Sequence, residues 1–299
     1  MREESNVTLL SEEFTSGEAR LRVDVHGARP PGHVLDDMTF LNYRLASVQV
    51  APEPTSRAPH VVWHQDAAQK SIRYQDQKLV LEGDWFQGEL QKIIVSALAL
   101  QMEQVGLHPF HSSAVRYQDR TIMFMSGEAN HGKTMCQIEG CKRGGRVVST
   151  ETTVTDERGW AVMGSKNVFL KKRAKGTERS DIPDAQQGAA KFFAETPEFV
   201  NYDELSDVDL IILPDIDGNF DTVVMDMIPF EKEYQTYHSL MNYFGLSQLL
   251  APGLSMPIID ADELRIKRAD FCHRFAGRPY HLIRARNPQL LWDEVEKLV

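Results

Sequence analysis

The chain has 299 residues, 42% of them hydrophobic and 25% charged, with a formal net charge of −10. That composition is ordinary for a globular protein with one large or two modest cores. The acidic balance argues against general nucleic-acid binding, which calls for a basic face.

No apolar run reaches the roughly eighteen residues of a spanning helix, and the start, Met1-Arg-Glu-Glu-Ser5, is polar and acidic. A soluble cytoplasmic protein without a membrane partner is expected. The three cysteines, Cys136, Cys141 and Cys272, form no CxxC pair and no metal spacing. They read as small buried residues in a reducing compartment.

Residues 1–84 are expected to be a β-rich N-terminal region. Strands are predicted at 19–25, 44–50, 60–64, 70–74 and 78–81, where apolar and polar side chains alternate or short apolar runs lie between Pro- and Gly-rich turns. A helix over 85–106 follows. Leu90, Ile93, Ile94, Ala97, Leu98 and Met102 recur at three- and four-residue steps, and Gly106 supplies a stop. The second region, 85–299, is expected to be the larger. It begins with this helix, then strands at 110–115 and 121–126 around a turn at 118–120.

A helix is predicted over 133–143, ended by Gly144-Gly145, then a strand at 146–149 and a hairpin of 152–155 with 160–162. Further expectations are a strand at 168–170 and a loop with a helix over 180–200. A strand at 207–213 is ended by Pro214. A helix follows over 230–251, another over 260–276, a strand at 280–284, and a last helix from Pro288.

One stretch carries chemistry. Gly127-Glu-Ala-Asn-His-Gly132-Lys133-Thr134 reads G-x-x-x-x-G-K-[ST], the phosphate-binding P-loop. It follows an apolar, β-prone run and precedes a helix. Gly127 and Gly132 let backbone N–H groups turn toward an anion without a Cβ in the way. The helix start favours phosphate through its unpaired N–H groups and dipole. Lys133 is the type of residue that reaches the β- and γ-phosphates, and the Thr134 hydroxyl suits the Mg²⁺ bridging them. ATP and Mg²⁺ are the cofactors this implies. Gly127, Asn130, His131, Gly132, Lys133 and Thr134 are the expected nucleotide-binding residues. His131 has two readings, a contact to phosphate or substrate and a tolerated variable position.

The order of motifs around the loop resembles the HPr kinase/phosphorylase-like branch of the phosphoenolpyruvate carboxykinase superfamily. The matching residues are Phe110-His111-Ser-Ser-Ala-Val115, the loop itself, and Gly144-Gly-Arg-Val-Val-Ser-Thr150-Glu151. Val168-Phe-Leu-Lys171 and Arg278-Pro-Tyr-His-Leu-Ile283 are similar to later strands of the family. The resemblance covers about residues 85–299 and leaves the first 80 or so without a motif. It implies an α/β fold, with an HPr kinase-like nucleotide-binding core of mixed sheet and helices behind the β-rich region. It also implies that His111 faces the phosphate site; from its own residues alone it reads equally as a hydrogen-bonded strand histidine near the core. Where the family carries an Asp pair for Mg²⁺ and acceptor activation, this chain has Thr150-Glu151. Glu151 retains the chemistry of a metal ligand or base; Thr150 does not.

Lys171 opens the densest basic run, Lys171-Lys172-Arg173-Ala-Lys175. It reads either as a solvated face or as a cationic patch drawing nucleotide or an anionic acceptor, with Lys171 favoured by the resemblance.

The leading expectation is therefore an ATP-dependent kinase. It would transfer the γ-phosphoryl group to a hydroxyl of a small molecule, peptide or protein serine, with His111, Lys133 and Glu151 catalytic and Thr134 and Glu151 on the metal. Two alternatives stay open. One is a nucleotide-binding regulatory subunit without transfer. The other is an NTPase of a different P-loop fold, with Asp209 or Asp215 as its acid. The acceptor, the preferred base and the oligomeric state, including a homo-oligomer, are not specified by these residues.

Overall fold

In the computed structural model, residues 8–28, 32–51, 53–126, 131–169, 190–192, 199–244, 249–251 and 253–299 are described. The architecture is mixed α/β, with two mixed sheets and, among the described residues, six helices. The chain divides into two units. One takes Met1–Leu41, Ser47–Gly106 and Tyr243–Arg265; the other takes Asn42–Ala46, Leu107–Asn242 and Ile266–Val299.

The first stretch runs β1 (Thr8–Ser16), β2 (Ala19–His26), α1 (Thr39–Arg44), β3 (Gln49–Ala51), β4 (Val61–His64), β5 (Ser71–Gln75), β6 (Lys78–Glu82) and α2 (Gln87–Gln104). Its six strands form one sheet in the order β3-β1-β2-β4-β6-β5. β2, β4 and β6 run parallel, and β1 returns antiparallel on β2. Helix α2 packs on β1 and β2. It buries Leu90, Ile93, Ile94, Ala97, Leu98 and Met102, as its period predicts, and also Val95, Ala99 and Leu100 beyond that face.

β1 has no expected counterpart. Its apolar pattern is interrupted by Glu12 and Glu13, both buried. Glu13 is accommodated by remote donors: Oε2 accepts from the Ser56 N–H and hydroxyl, and Oε1 from the Thr55 hydroxyl. Burial alone would raise its pKa, but these hydrogen bonds bring it down to about 2.

The predicted strand at 44–50 is corrected. Arg44 ends α1, Ser47 has a φ of 51°, and only Gln49–Ala51 is strand. Leu45, Ala46 and Val48 are all buried, so the apparent alternation reflects an irregular buried stretch.

The second stretch continues with β7 (His108–Tyr117), β8 (Arg120–Met125), α3 (Lys133–Lys142), β9 (Arg146–Ser149), β10 (Thr152–Thr155), β11 (Trp160–Gly164), β12 (Asn167–Phe169), β13 (Ala190–Phe192), β14 (Ser206–Asp207), β15 (Leu210–Ile216), β16 (Val223–Asp226) and α4 (Pro229–Met241). β17 (Leu249–Ala251) and β18 (Leu254–Ser255), a small pair of the first unit, intervene. α5 (Asp262–Phe275), β19 (Tyr280–Ala285) and α6 (Pro288–Val295) close the chain. The expected helix over 230–251 is thus corrected: it stops at Met241, and 249–251 is strand.

The large sheet has the order β14-β11-β10-β7-β8-β15-β19-β16, with β9 paired to β7. Its central strands are buried on both faces, as strands covered by helices on two sides are. Ile122 and Phe124 of β8, with Leu210 and Ile212 of β15, pack against Cys136 and Cys141 of α3 and Leu291, Trp292 and Val295 of α6. The alternate residues Met123, Met125, Ile211 and Leu213 face Leu240 of α4 and Phe271, Cys272 and Phe275 of α5. α3 and α6 approach so closely that a Cβ on Gly140 would lie 2.2 Å from the Trp292 ring.

β15 was expected to end before Pro214 but runs through it to Ile216. The reason is directional. Ile211 N donates toward the β19 side, to Pro279 O. Pro214 therefore lacks its donor on the β8 side, where the last register pair is Ile212 with Phe124.

Candidate functional site

β8 delivers the chain into the P-loop sequence, and α3 leaves it. Gly127 and Asn130, expected nucleotide ligands, lie outside the described residues, as does Lys171 with the rest of the basic run to Lys175. His131, Gly132, Lys133 and Thr134 are described. Gly132 caps α3 in the left-handed region, with φ 103°. A Cβ there would also lie 2.7 Å from Cδ1 of Ile216, so both conformation and space call for glycine. Ile216 N donates to His131 O at 3.3 Å, which ties this end of the loop to the end of β15.

Lys133 is the first residue of α3 and is buried. Its Nζ donates to the Ser126 hydroxyl at 3.1 Å and to the Ser126 carbonyl at 3.4 Å. Its own carbonyl accepts from the Ser113 hydroxyl of β7 at 2.9 Å. Thr134 is partly exposed in the first helical turn.

His111 lies on β7 two residues before Ser113. Alternation along a strand therefore puts it on the face that meets the start of α3. It pairs in register with Thr152 of β10, and Glu151 immediately precedes that residue. The Ser112 N–H donates to the Glu151 carbonyl at 3.1 Å. His111 Nε2 lies 3.2 Å from Glu151 Oε1. Both side chains are nearly enclosed, 7% and 11% exposed.

A cation completes the group. Arg44, from the short 42–46 stretch that groups with this unit, donates from Nη1 to Glu151 Oε1 at 2.7 Å. Its Nη2 donates to Asn242 Oδ1 at 2.8 Å. Burial lowers the pKa of His111; the Glu151 hydrogen bond opposes this, while the Lys133 and Arg44 charges add to it. Burial works against ionisation of Glu151, but the His111 hydrogen bond and the nearby positive charge of Arg44 and Lys133 hold its pKa below the usual carboxylate value. We assign a neutral imidazole with its proton on Nε2, donating to an ionised Glu151.

The turn that carries Glu151 is built by Ser165. Its hydroxyl accepts from the N–H groups of Glu151 at 3.0 Å and Thr152 at 2.9 Å. Thr150 points elsewhere. Its hydroxyl donates to the carbonyl of Asn167 at 2.5 Å, with the Ser165 carbonyl 3.1 Å away, at 2% exposure.

Of the expected residues, then, Lys133, His111 and Glu151 come together at the end of β8, with Thr134 at the adjoining helix start. Arg44 and Ser165 were not foreseen. Neither lies in a motif, and Arg44 is 107 positions from the carboxylate it holds.

The two alternative acids separate cleanly. Asp209 is at the wrong end of β15, because its Oδ2 accepts from the N–H of Thr121 at the start of β8. Asp215 is at the loop end. Its Oδ1 lies 3.9 Å from His131 Nδ1, and its Oδ2 accepts from Arg284 Nε at 3.0 Å.

Among the described residues no group of three or more His, Cys, Asp or Glu could hold a metal. The donors present suit Mg²⁺ in a different way. That ion typically takes one or two protein oxygens and completes its shell with phosphates and water. A partly exposed Thr134 hydroxyl and an ionised Glu151 fit that chemistry. The three cysteines are buried, and burial raises the Cys136 thiol and pushes the Cys141 thiol up to about 12, away from nucleophilic character. No described helix is long and apolar enough to cross a membrane.

No protein-family model matches the chain, and no curated protein does.

Proposed function

We propose that the chain is an ATP-dependent phosphotransferase, with an HPr kinase-like nucleotide-binding core. It would move the γ-phosphoryl group to a hydroxyl-bearing acceptor. One observation carries the reading: the P-loop lysine, an ionised carboxylate and a histidine converge where β8 enters the loop, beside a left-handed Gly132. Thr134 and Glu151 would hold Mg²⁺, whose charge would offset that of the phosphates.

The chain's own residues have distinct parts. Loop amides and Lys133 stabilise charge on the phosphates. His111 orients Glu151 through the Nε2 hydrogen bond, fixing the carboxylate's direction. A depressed pKa makes Glu151 a poor proton acceptor, which favours the metal role over the base role. In transfer, the acceptor oxygen bonds to the γ-phosphorus, the bond to the bridging oxygen breaks, ADP leaves and the hydroxyl proton goes to solvent or a carboxylate.

A second reading rests on Asp215. It stands on the strand parallel to β8 and close to His131, where an ordinary P-loop NTPase carries its acid. Incubation with γ-labelled ATP, Mg²⁺ and a pool of metabolites and peptides separates the readings. Label transfer supports the kinase. Hydrolysis alone supports the NTPase, and binding without turnover supports a regulatory subunit.

A further inference from the structure

We infer, resting on the nucleotide reading above, that Arg44 is an exchangeable clamp on Glu151: its guanidinium and a divalent cation compete for one carboxylate, and bound polyphosphate tips the exchange. The geometry is a two-armed hold. Nη1 donates to Glu151 Oε1 at 2.7 Å and Nη2 to Asn242 Oδ1 at 2.8 Å. The Arg44 backbone is anchored separately, its carbonyl accepting from the Thr152 hydroxyl at 2.5 Å. The side chain can therefore change partners while the main chain stays in place.

The electrostatics make the exchange necessary. Glu151 already feels Arg44, Lys133 and the His111 N–H in an enclosed setting, where charges interact more strongly than in water. A divalent cation placed on the same carboxylate would stand beside the guanidinium and be repelled by it. A polyphosphate resolves the conflict. Its oxygens offer the guanidinium a bidentate partner, for which arginine is well shaped, and Glu151 is released to the metal. Metal and nucleotide would then bind with positive cooperativity, because each removes the obstacle to the other.

Mn²⁺ binding followed by electron paramagnetic resonance on the full chain tests this without nucleotide. Arg44→Gln is expected to raise Mn²⁺ affinity on the order of tenfold. Arg44→Lys, a single-armed cation, falls between it and wild type, and Glu151→Gln added to either variant removes the gain. If the Gln variant fails to fold, the difference between the Lys variant and wild type decides. Mn²⁺ affinity unchanged in the folded Arg44 variants, or a gain that survives Glu151→Gln, overturns the clamp. A parallel ATP titration of wild type reads the nucleotide assignment on its own. A wild type that binds no ATP refutes that assignment, while the nucleotide-free comparison still decides the competition for Glu151.

Discussion

His111 Nε2 and Glu151 Oε1 stand 3.2 Å apart, a neutral donor on an enclosed carboxylate. Both have folded-state pKa values below their ordinary ones, 6.5 for the histidine and 4.5 for the glutamate. The unfolded chain therefore binds more protons than the folded one just below each of these values. The stability they contribute is complete above about pH 6.5, declines first as His111 must charge, and falls again below pH 4.5 through Glu151.

Urea midpoints at pH 8 and pH 5.5 measure the first window. His26 and His60 also have lowered values and supply a shared background. The wild type should lose more stability between these pH values than His111→Gln does. An equal loss in both proteins would remove His111 from the account.

Glu151→Gln keeps the volume and removes the charge. In a working kinase it should cut turnover on the order of a hundredfold, as loss of a metal ligand does. ATP binding without Mg²⁺ should hold or tighten, since Lys133 and the loop amides remain and Arg44 is released from Glu151. Unchanged turnover would shift the acid to Asp215, and Asp215→Asn would then be expected to abolish hydrolysis.

Thr150→Asp recreates the acidic pair of the resembling family, but the structure predicts harm. The Thr150 hydroxyl donates to the Asn167 carbonyl, with the Ser165 carbonyl 3.1 Å away, at 2% exposure. A carboxylate there would face those oxygens with no proton to give. Breaking the arrangement should cost about 3 kcal/mol or more. A lowered thermal midpoint with no gain in turnover is expected, whereas Thr150→Ser should remain close to wild type. A stable and more active Asp variant would show that the position belongs to the metal site.

Much of the second unit could be read from its residues. The strand at 146–149, the hairpin from 152, α3, α5 and α6 announce themselves by period, Gly-Gly or Pro. The misses have physical causes. β1 hides behind Glu12 and Glu13, whose partners His33, Val34, Thr55 and Ser56 lie 21 to 43 residues away, with Arg20 alone near in sequence. β15 crosses Pro214 because the missing donor falls where β8 has ended. The site was half legible. The loop motif pointed to Lys133, and the family resemblance to His111 and Glu151. Arg44 left no mark, because an ion pair across 107 residues has no sequence signature. Thr150 was legible as a departure, but its turn away toward Asn167 was not.

On the proposed reading Lys133 binds the phosphates of a nucleotide. Isothermal titration of ATP into wild type and Lys133→Ala, each checked for native circular dichroism, tests this. The wild type should bind, and the variant should bind at least about tenfold more weakly, since a charge-assisted contact to phosphate is lost. Equal affinity in the two proteins, or a folded wild type that takes up no ATP, would contradict it.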